Sequence, residues 1–188
     1  MKEKEVIEQI KQLRQDLTGL AWCVHMLNPS REVSLAYTQL QEAKSWCGKV
    51  LQEFKQDNPY PDSAKPESRN IEPQADVPEE NPFLDQFNQL EEKTQTGYVK
   101  LLRKLVGDAV ERMKALHIEI DFLIYSLSLE EDNPIAESLW IGPYTSWAIK
   151  AAELARIWLG WELDRIRQEI ELQGKEYNSA LRPALPLQ

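Results

Sequence analysis

The sequence is poor in the residues that most catalytic and metal centres use. It contains two cysteines, two histidines and seven glycines. Cys23 and Cys47 lie within apolar helical patterns and lack the spacing of a metal site, which predicts free, buried and reduced thiols. There is no Gly-rich phosphate loop and no G-x-S-x-G motif. We therefore expect a protein that is not an enzyme and needs no metal ion or cofactor.

Long apolar runs and excess basic charge are also lacking. No run of about eighteen apolar residues occurs, and the N-terminus "MKEKEVIEQIKQL" has charges where a signal peptide needs an apolar block. Acidic residues outnumber basic ones by 31 to 22, giving a net charge of −9. Such a charge opposes binding to nucleic acid polymers. We expect a cytoplasmic protein whose partners include neither a nucleic acid polymer nor a membrane.

Apolar residues recur three and four positions apart through most of the chain, which predicts an all-α fold. The first helix is expected to end near Leu27. Asn28 is the predicted N-cap of the second helix, with Pro29 at its first position. This helix is expected to end near Gln56. Because the connection is so short, residues 1–56 are predicted to form an antiparallel helical hairpin.

Residues 57–82 have a different composition, with six prolines and almost no aliphatic residues. This predicts an extended linker. Residues 83–173 are predicted to be a second helical region, and residues 174–188 a tail. The helices expected there are Phe83–Leu90, Tyr98–Leu127 and Tyr144–Gln173.

A short motif occurs twice. "AKSWCGKVL" at Ala43–Leu51 and "ARIWLGWEL" at Ala155–Leu163 share the pattern A-[K/R]-x-W-x-G-x-x-L. Each copy falls in the second long helix of its region. The repetition predicts two related antiparallel helical hairpins, a tandem repeat joined by the Pro-rich linker.

The predicted second helix has a second face beside its apolar stripe. At about 100° per residue, Glu42 and Trp46 align with Leu35, and Lys44 points away. This face is flanked by Arg31, Thr38 and Lys49. One use for it is a helix–helix interface in an oligomer. The other is a pocket in which an aromatic ring stacks on a base and cations hold phosphate. The unpaired N–H groups of the helix start favour an anion near Ser30 and Arg31.

The segment "SREVSLAYTQLQEAKSWCGKVL" resembles the pattern R-[ED]-x-S-L-A-x-T-x-L-x-E-A-x-x-W of a family of small helical-hairpin phage proteins. These proteins are sponges that counter the CBASS and Thoeris bacterial defences by sequestering their nucleotide messengers. The resemblance covers about Leu27 to Leu51. The matched residues are Arg31, Glu32, Ser34, Leu35, Ala36, Thr38, Leu40, Glu42, Ala43 and Trp46.

The resemblance implies a non-catalytic immune-evasion protein in the host cytoplasm. Its ligand would be a cyclic oligonucleotide or a cyclic ADP-ribose isomer, bound between the protomers of a homo-oligomer. Cations would pair with the phosphates, hydroxyls would donate hydrogen bonds, and an aromatic ring would contact a base. The ligand-binding residues implied in this way are Arg31, Ser34, Tyr37, Thr38, Lys44 and Trp46.

Other interpretations stay open. The hairpin could serve as a protein-interaction or oligomerisation module without a small ligand. An α-helical nucleotide hydrolase would need a second acidic pair beside Glu5 and Glu8, and the sequence does not complete one. The second hairpin has Ile149 and Lys150 where the first has Tyr37 and Thr38. It could therefore have lost or changed its ligand, or it could supply half of a pocket that relatives build from two protomers.

Overall fold

A computed structural model describes residues 3–56, 81, 83–91, 93–129 and 140–173. Within these ranges the chain is helical and forms no strand, which confirms the predicted all-α fold. The described helices are α1 (Glu3–His25), α2 (Arg31–Glu53), α3 (Leu84–Asn88), α4 (Gln95–Leu127) and α5 (Ile141–Gln173). The predicted linker, apart from Asn81, and the predicted tail lie outside the described residues.

The start of α2 differs from the prediction. Ser30 is the N-cap, with φ −143° and ψ 170°, and its Oγ accepts a hydrogen bond from the Val33 N–H at 3.0 Å. The prediction of Asn28 as the N-cap and Pro29 as the first helical residue was therefore wrong. The backbone N–H of Asn28 instead donates to Gln95 Oε1 at 3.3 Å, so this residue links the α1–α2 turn to α4.

The later helices begin earlier than their apolar patterns suggest. Helix α4 starts three residues before Tyr98, because the Thr94 hydroxyl caps it by accepting from the Gly97 N–H at 3.1 Å. Helix α5 starts at Ile141, so that Pro143 lies in its first turn, where the missing N–H costs no helical hydrogen bond. Helix α3 is a single short turn, and its Phe87 stacks on Tyr98 with ring centroids 5.5 Å apart.

The four long helices form a bundle. Around it, α1 contacts α2, α2 contacts α5, α5 contacts α4, and α4 contacts α1. The Asn28–Gln95 bond joins the end of α1 to the start of α4. Trp46, late in α2, stacks on Tyr144, early in α5. Neighbouring helices are therefore antiparallel, as in other four-helix bundles.

One continuous core lies along the bundle axis. Burial of an aliphatic side chain of this kind contributes roughly 1.5–3 kcal/mol. Every long helix contributes fully buried aliphatic side chains, among them Leu17, Leu40, Leu102, Ile120 and Leu159. Cys23 and Cys47 are free and buried in it, as predicted, and burial raises the pKa of each thiol to about 12. Both thiols are therefore protonated and unreactive near neutral pH.

The two motif copies occupy corresponding places in the bundle. One lies in α2 and the other in α5, and these two helices form the most extensive helix pair of the fold. Six pairs of positions related by the motif's offset are buried in both helices. They are Val33, Ala36, Leu40, Ala43, Cys47 and Val50 in α2 and Thr145, Ala148, Ala152, Ala155, Leu159 and Glu162 in α5. Other motif positions differ, since Lys44 is buried and the aligned Arg156 is exposed.

Candidate functional site

Three of the six predicted ligand-binding residues share the solvent face of α2. Arg31, Ser34 and Thr38 are all exposed. The Ser34 hydroxyl donates to the Ser30 carbonyl at 2.8 Å, and the Thr38 hydroxyl donates to the Ser34 carbonyl at 2.9 Å. The oxygens of both hydroxyls can still accept hydrogen bonds. Among the described residues Arg31 has no ion-pair partner, so its guanidinium can form a two-pronged contact with a phosphate.

Two predicted residues lie off this face. Tyr37 is half-buried, its ring 5.5 Å from that of His25 on α1, and its hydroxyl accepts from Gln41 Nε2 at 3.1 Å. Lys44 is only 5% exposed. Within one protomer, Tyr37 and Lys44 therefore do not face the same solvent region as Arg31.

Trp46 belongs to an aromatic cluster that joins α2 to α5. Its ring lies 5.6 Å from Tyr144 and 4.7 Å from Trp147. Trp140 continues the cluster, 5.9 Å from Tyr144. The second face of α2 thus packs against α5 of the same chain. The α5 partners were not predicted from the sequence, although the aromatic spacing in "LWIGPYTSW" was a signal for them.

The anion predicted at the start of α2 is supplied by the chain itself. The Ser30 hydroxyl donates to Glu162 Oε2 at 2.8 Å, and Glu162 is fully buried. Arg165 donates to the same carboxylate through Nε at 2.9 Å and Nη2 at 2.8 Å. It also pairs with Glu169. The Glu162 hydrogen bonds raise the pKa of Arg165 above its usual range, so the guanidinium stays charged.

The six predicted ligand-binding residues line none of three cavities that lie among the described residues. The smallest, about 20 Å³, is an apolar space between Ile10, Met113 and Thr145 and has room for about one water molecule. The other two, each about 400 Å³, are open grooves on α4 and α5.

The features considered for an enzyme do not come together. Glu5 and Glu8 are exposed, and Glu8 pairs with Lys11 at 3.0 Å. The part of the chain that the structure describes contains no group of three His, Cys, Asp or Glu side chains suited to a metal ion. His117 Nδ1 lies 2.6 Å from the Thr145 hydroxyl, which in turn donates to the Gly142 carbonyl at 2.8 Å. This chain of contacts ties α4 to the first turn of α5.

Comparison with known protein families, characterised proteins and solved structures found no match to the chain. Among the described helices, none is long and apolar enough to cross a membrane.

Proposed function

We propose that the protein is a non-catalytic sponge that sequesters a cyclic nucleotide messenger of bacterial anti-phage defence. The supporting observation is the solvent face of α2. Buried residues of the sponge-like pattern, such as Ala36 and Leu40, are accounted for by packing. Packing does not account for Arg31, Ser34 and Thr38, which are exposed and adjacent on the helix.

The mechanism would be stoichiometric capture. Arg31 pairs with a phosphate of the messenger, and Ser34 and Thr38 contribute hydroxyls on the same face. Trp46, within the aromatic cluster, would contribute ring surface about 12 Å further along α2 from Thr38. Tyr37, which is half-buried, would serve a second contact or a different protomer of a homo-oligomer, whereas Lys44 is too deeply buried for either role. Binding lowers the free messenger concentration and involves no turnover.

The tandem arrangement suggests how one chain could replace two protomers. The aromatic cluster is built from both hairpins of one chain, since Trp46 lies on α2 and Trp147 on α5. Light scattering combined with a binding stoichiometry tests this idea. A monomer with one site per chain supports it, and an obligate oligomer contradicts it.

The experiment that tests capture is thermal stability against cyclic dinucleotides, cyclic trinucleotides and cyclic ADP-ribose isomers. A ligand at about a hundred times its Kd stabilises the folded state by roughly 2.7 kcal/mol, which shifts the Tm visibly. One clear hit, with the messenger recovered intact after heat denaturation, supports the sponge. If no ligand shifts the Tm of the folded protein, the proposal is wrong.

Variants then locate the site. We expect Arg31→Ala and Thr38→Ala each to weaken capture about tenfold, because each removes a polar contact to the ligand. Thr18→Ala is the matched control, since Thr18 makes the same bond to the carbonyl four residues earlier, at 3.0 Å, but on α1. Helicity measured by circular dichroism should not change. Variants that unfold the protein or leave affinity intact would contradict this site.

A protein-interaction module is the second candidate, favoured by an exposed apolar stripe at the end of α4. The stripe consists of Ile118, Phe122 and Tyr125 on the helix and Leu129 just after it, whose exposed fractions are 58%, 71%, 67% and 72%. Two results together would favour this function over capture: none of the messengers shifts the Tm, and a protein partner co-purifies with the original protein but not with Phe122→Ala.

A further inference from the structure

A basic groove runs along the seam between α4 and α5. Its cations are Lys100, Arg103 and Lys104 on α4 and Arg156 on α5, all exposed. None of the four has an ion-pair partner among the described residues. In a chain with a net charge of −9, this is a local concentration of positive charge.

Two carboxylates also line the groove, and one of them is ion-paired. Glu111 pairs with Lys114 at 3.2 Å, and the same lysine pairs with Glu153 at 2.9 Å. Asp108 is the remaining carboxylate. The four cations of the basic groove therefore exceed its unpaired acidic charge, which attracts an anion at short range.

Two glycines let the arginines lie close to the opposite helix. A Cβ placed on Gly160 of α5 would be 3.4 Å from Arg103 Nε, and a Cβ on Gly107 of α4 would be 3.5 Å from Arg156 Nη1. Each guanidinium thus lies across the seam on the backbone of the other helix. This reciprocal arrangement places two planar, five-donor groups on either side of one groove.

The size of the cationic region limits the ligand. Lys100, Arg103 and Lys104 extend over only about 6 Å of helix, a length that suits two or three linked phosphates. An extended polyanion would pass beyond them onto a surface whose overall charge repels it. A compact polyphosphate is the better match.

An aromatic side chain adjoins the cations. Trp161 lines the groove that also contains Arg103, is 52% exposed, and is held edge-to-face against Trp158 with centroids 4.4 Å apart. An indole with exposed surface and a fixed orientation stacks well on a planar heterocycle. The two adjoining grooves, each about 400 Å³, have volumes in the range of small-ligand sites.

We propose that the basic groove is a second ligand site, for a compact organic polyphosphate such as a nucleoside diphosphate. Arg103 and Arg156 hold the phosphates, with Lys100 and Lys104 beside them, and Trp161 stacks on the ring. The site shares no residue with the solvent face of α2 and does not depend on messenger capture.

Calorimetry of the full chain with three probes tests the site. Pyrophosphate is expected to bind, ADP to bind about tenfold more tightly because of stacking, and adenosine not to bind measurably. Arg103→Ala combined with Arg156→Ala should weaken ADP binding by at least about tenfold. Arg103→Lys combined with Arg156→Lys should give an affinity between those of the original protein and the double Ala variant. Trp161→Ala should reduce ADP to the affinity of pyrophosphate. Circular dichroism verifies that each variant is folded.

Lys4→Ala combined with Lys11→Ala changes the net charge equally, away from the groove, and should leave ADP binding unchanged. The proposal is overturned if ADP does not bind, or if it binds equally to the double Ala variant. It is also overturned if an oligoglutamate peptide binds more tightly than ADP and depends on the same arginines. Failure of this second site can be distinguished from failure of messenger capture, because Arg31→Ala should not change the affinity for ADP.

Discussion

Glu162 is a carboxylate that the fold buries completely. It occupies the position that the shared motif aligns with Val50, so an apolar residue of one copy is replaced by a charged residue in the other. The charge is tolerated because Ser30 and Arg165 together donate three hydrogen bonds to it. A buried ion is stable only when it is paired and hydrogen-bonded in this way.

Removing this carboxylate should destabilise the protein strongly. We expect Glu162→Ala to lower the free energy of unfolding by about 3 kcal/mol, because it leaves Ser30 and a partly buried Arg165 without their main partner. Glu169→Ala, which removes the more exposed partner of the same arginine, should cost less than about 1 kcal/mol. Urea unfolding measures both. Equal losses would show that the buried carboxylate is not the main partner of Arg165.

The sequence identified some single residues better than others. Cys23 and Cys47 were predicted to be buried because their neighbours along the helix are apolar, and local periodicity was enough. The role of Glu162 was not foreseen, because it depends on how α5 is aligned against α2. A sequence pattern does not contain that alignment.

At the scale of elements, apolar periodicity predicted the helices, and capping decided where they start. Asn28, Pro29 and Ser30 are consecutive residues that all suit a helix start. Ser30 is the cap because its hydroxyl reaches the Val33 N–H. Thr94 similarly caps α4 so that the helix begins three residues before its first large apolar residue, Tyr98. Such competition between adjacent caps is settled by geometry that the sequence leaves open.

The aromatic cluster should contribute measurably to the packing of α2 on α5. We expect Trp46→Ala to lower the free energy of unfolding by about 2 kcal/mol, since it removes two ring contacts from a half-buried position. Trp140→Ala, at the exposed end of the same cluster, should cost well under about 1 kcal/mol. Thermal or urea unfolding distinguishes the two. A Trp46 variant as stable as the Trp140 variant would mean that the cluster does not hold α2 on α5.

For the whole molecule, the hairpins were predicted and their mutual packing was not. Helix α2 ends beside the start of α1, whereas Asn81 donates to the Gly19 carbonyl, near the end of α1, at 3.2 Å. Residues 57–80 must therefore connect points separated by about sixteen residues of helix, or about 25 Å. That distance requires at least about eight residues of extended chain.

Shortening this connection should change the assembly. If only about four residues remain between Gln56 and Asn81, the connection cannot span the distance, and hairpins from different chains should pair instead. Light scattering should then give a larger mass than for the full-length protein. A variant that keeps about sixteen of these residues should retain the original mass. An unchanged mass in the shorter variant would contradict a connection that spans the length of α1.

The antiparallel packing of α2 on α5 also affects how fast the protein folds. Each hairpin forms from contacts that are local in sequence and therefore fast. The contact between Ser30 and Glu162, in contrast, joins residues 132 positions apart. Closing so large a loop costs entropy before the interface compensates for it. We therefore expect docking of the two hairpins to be the slow step, and folding to be slower than in a bundle whose consecutive helices are all joined by short turns.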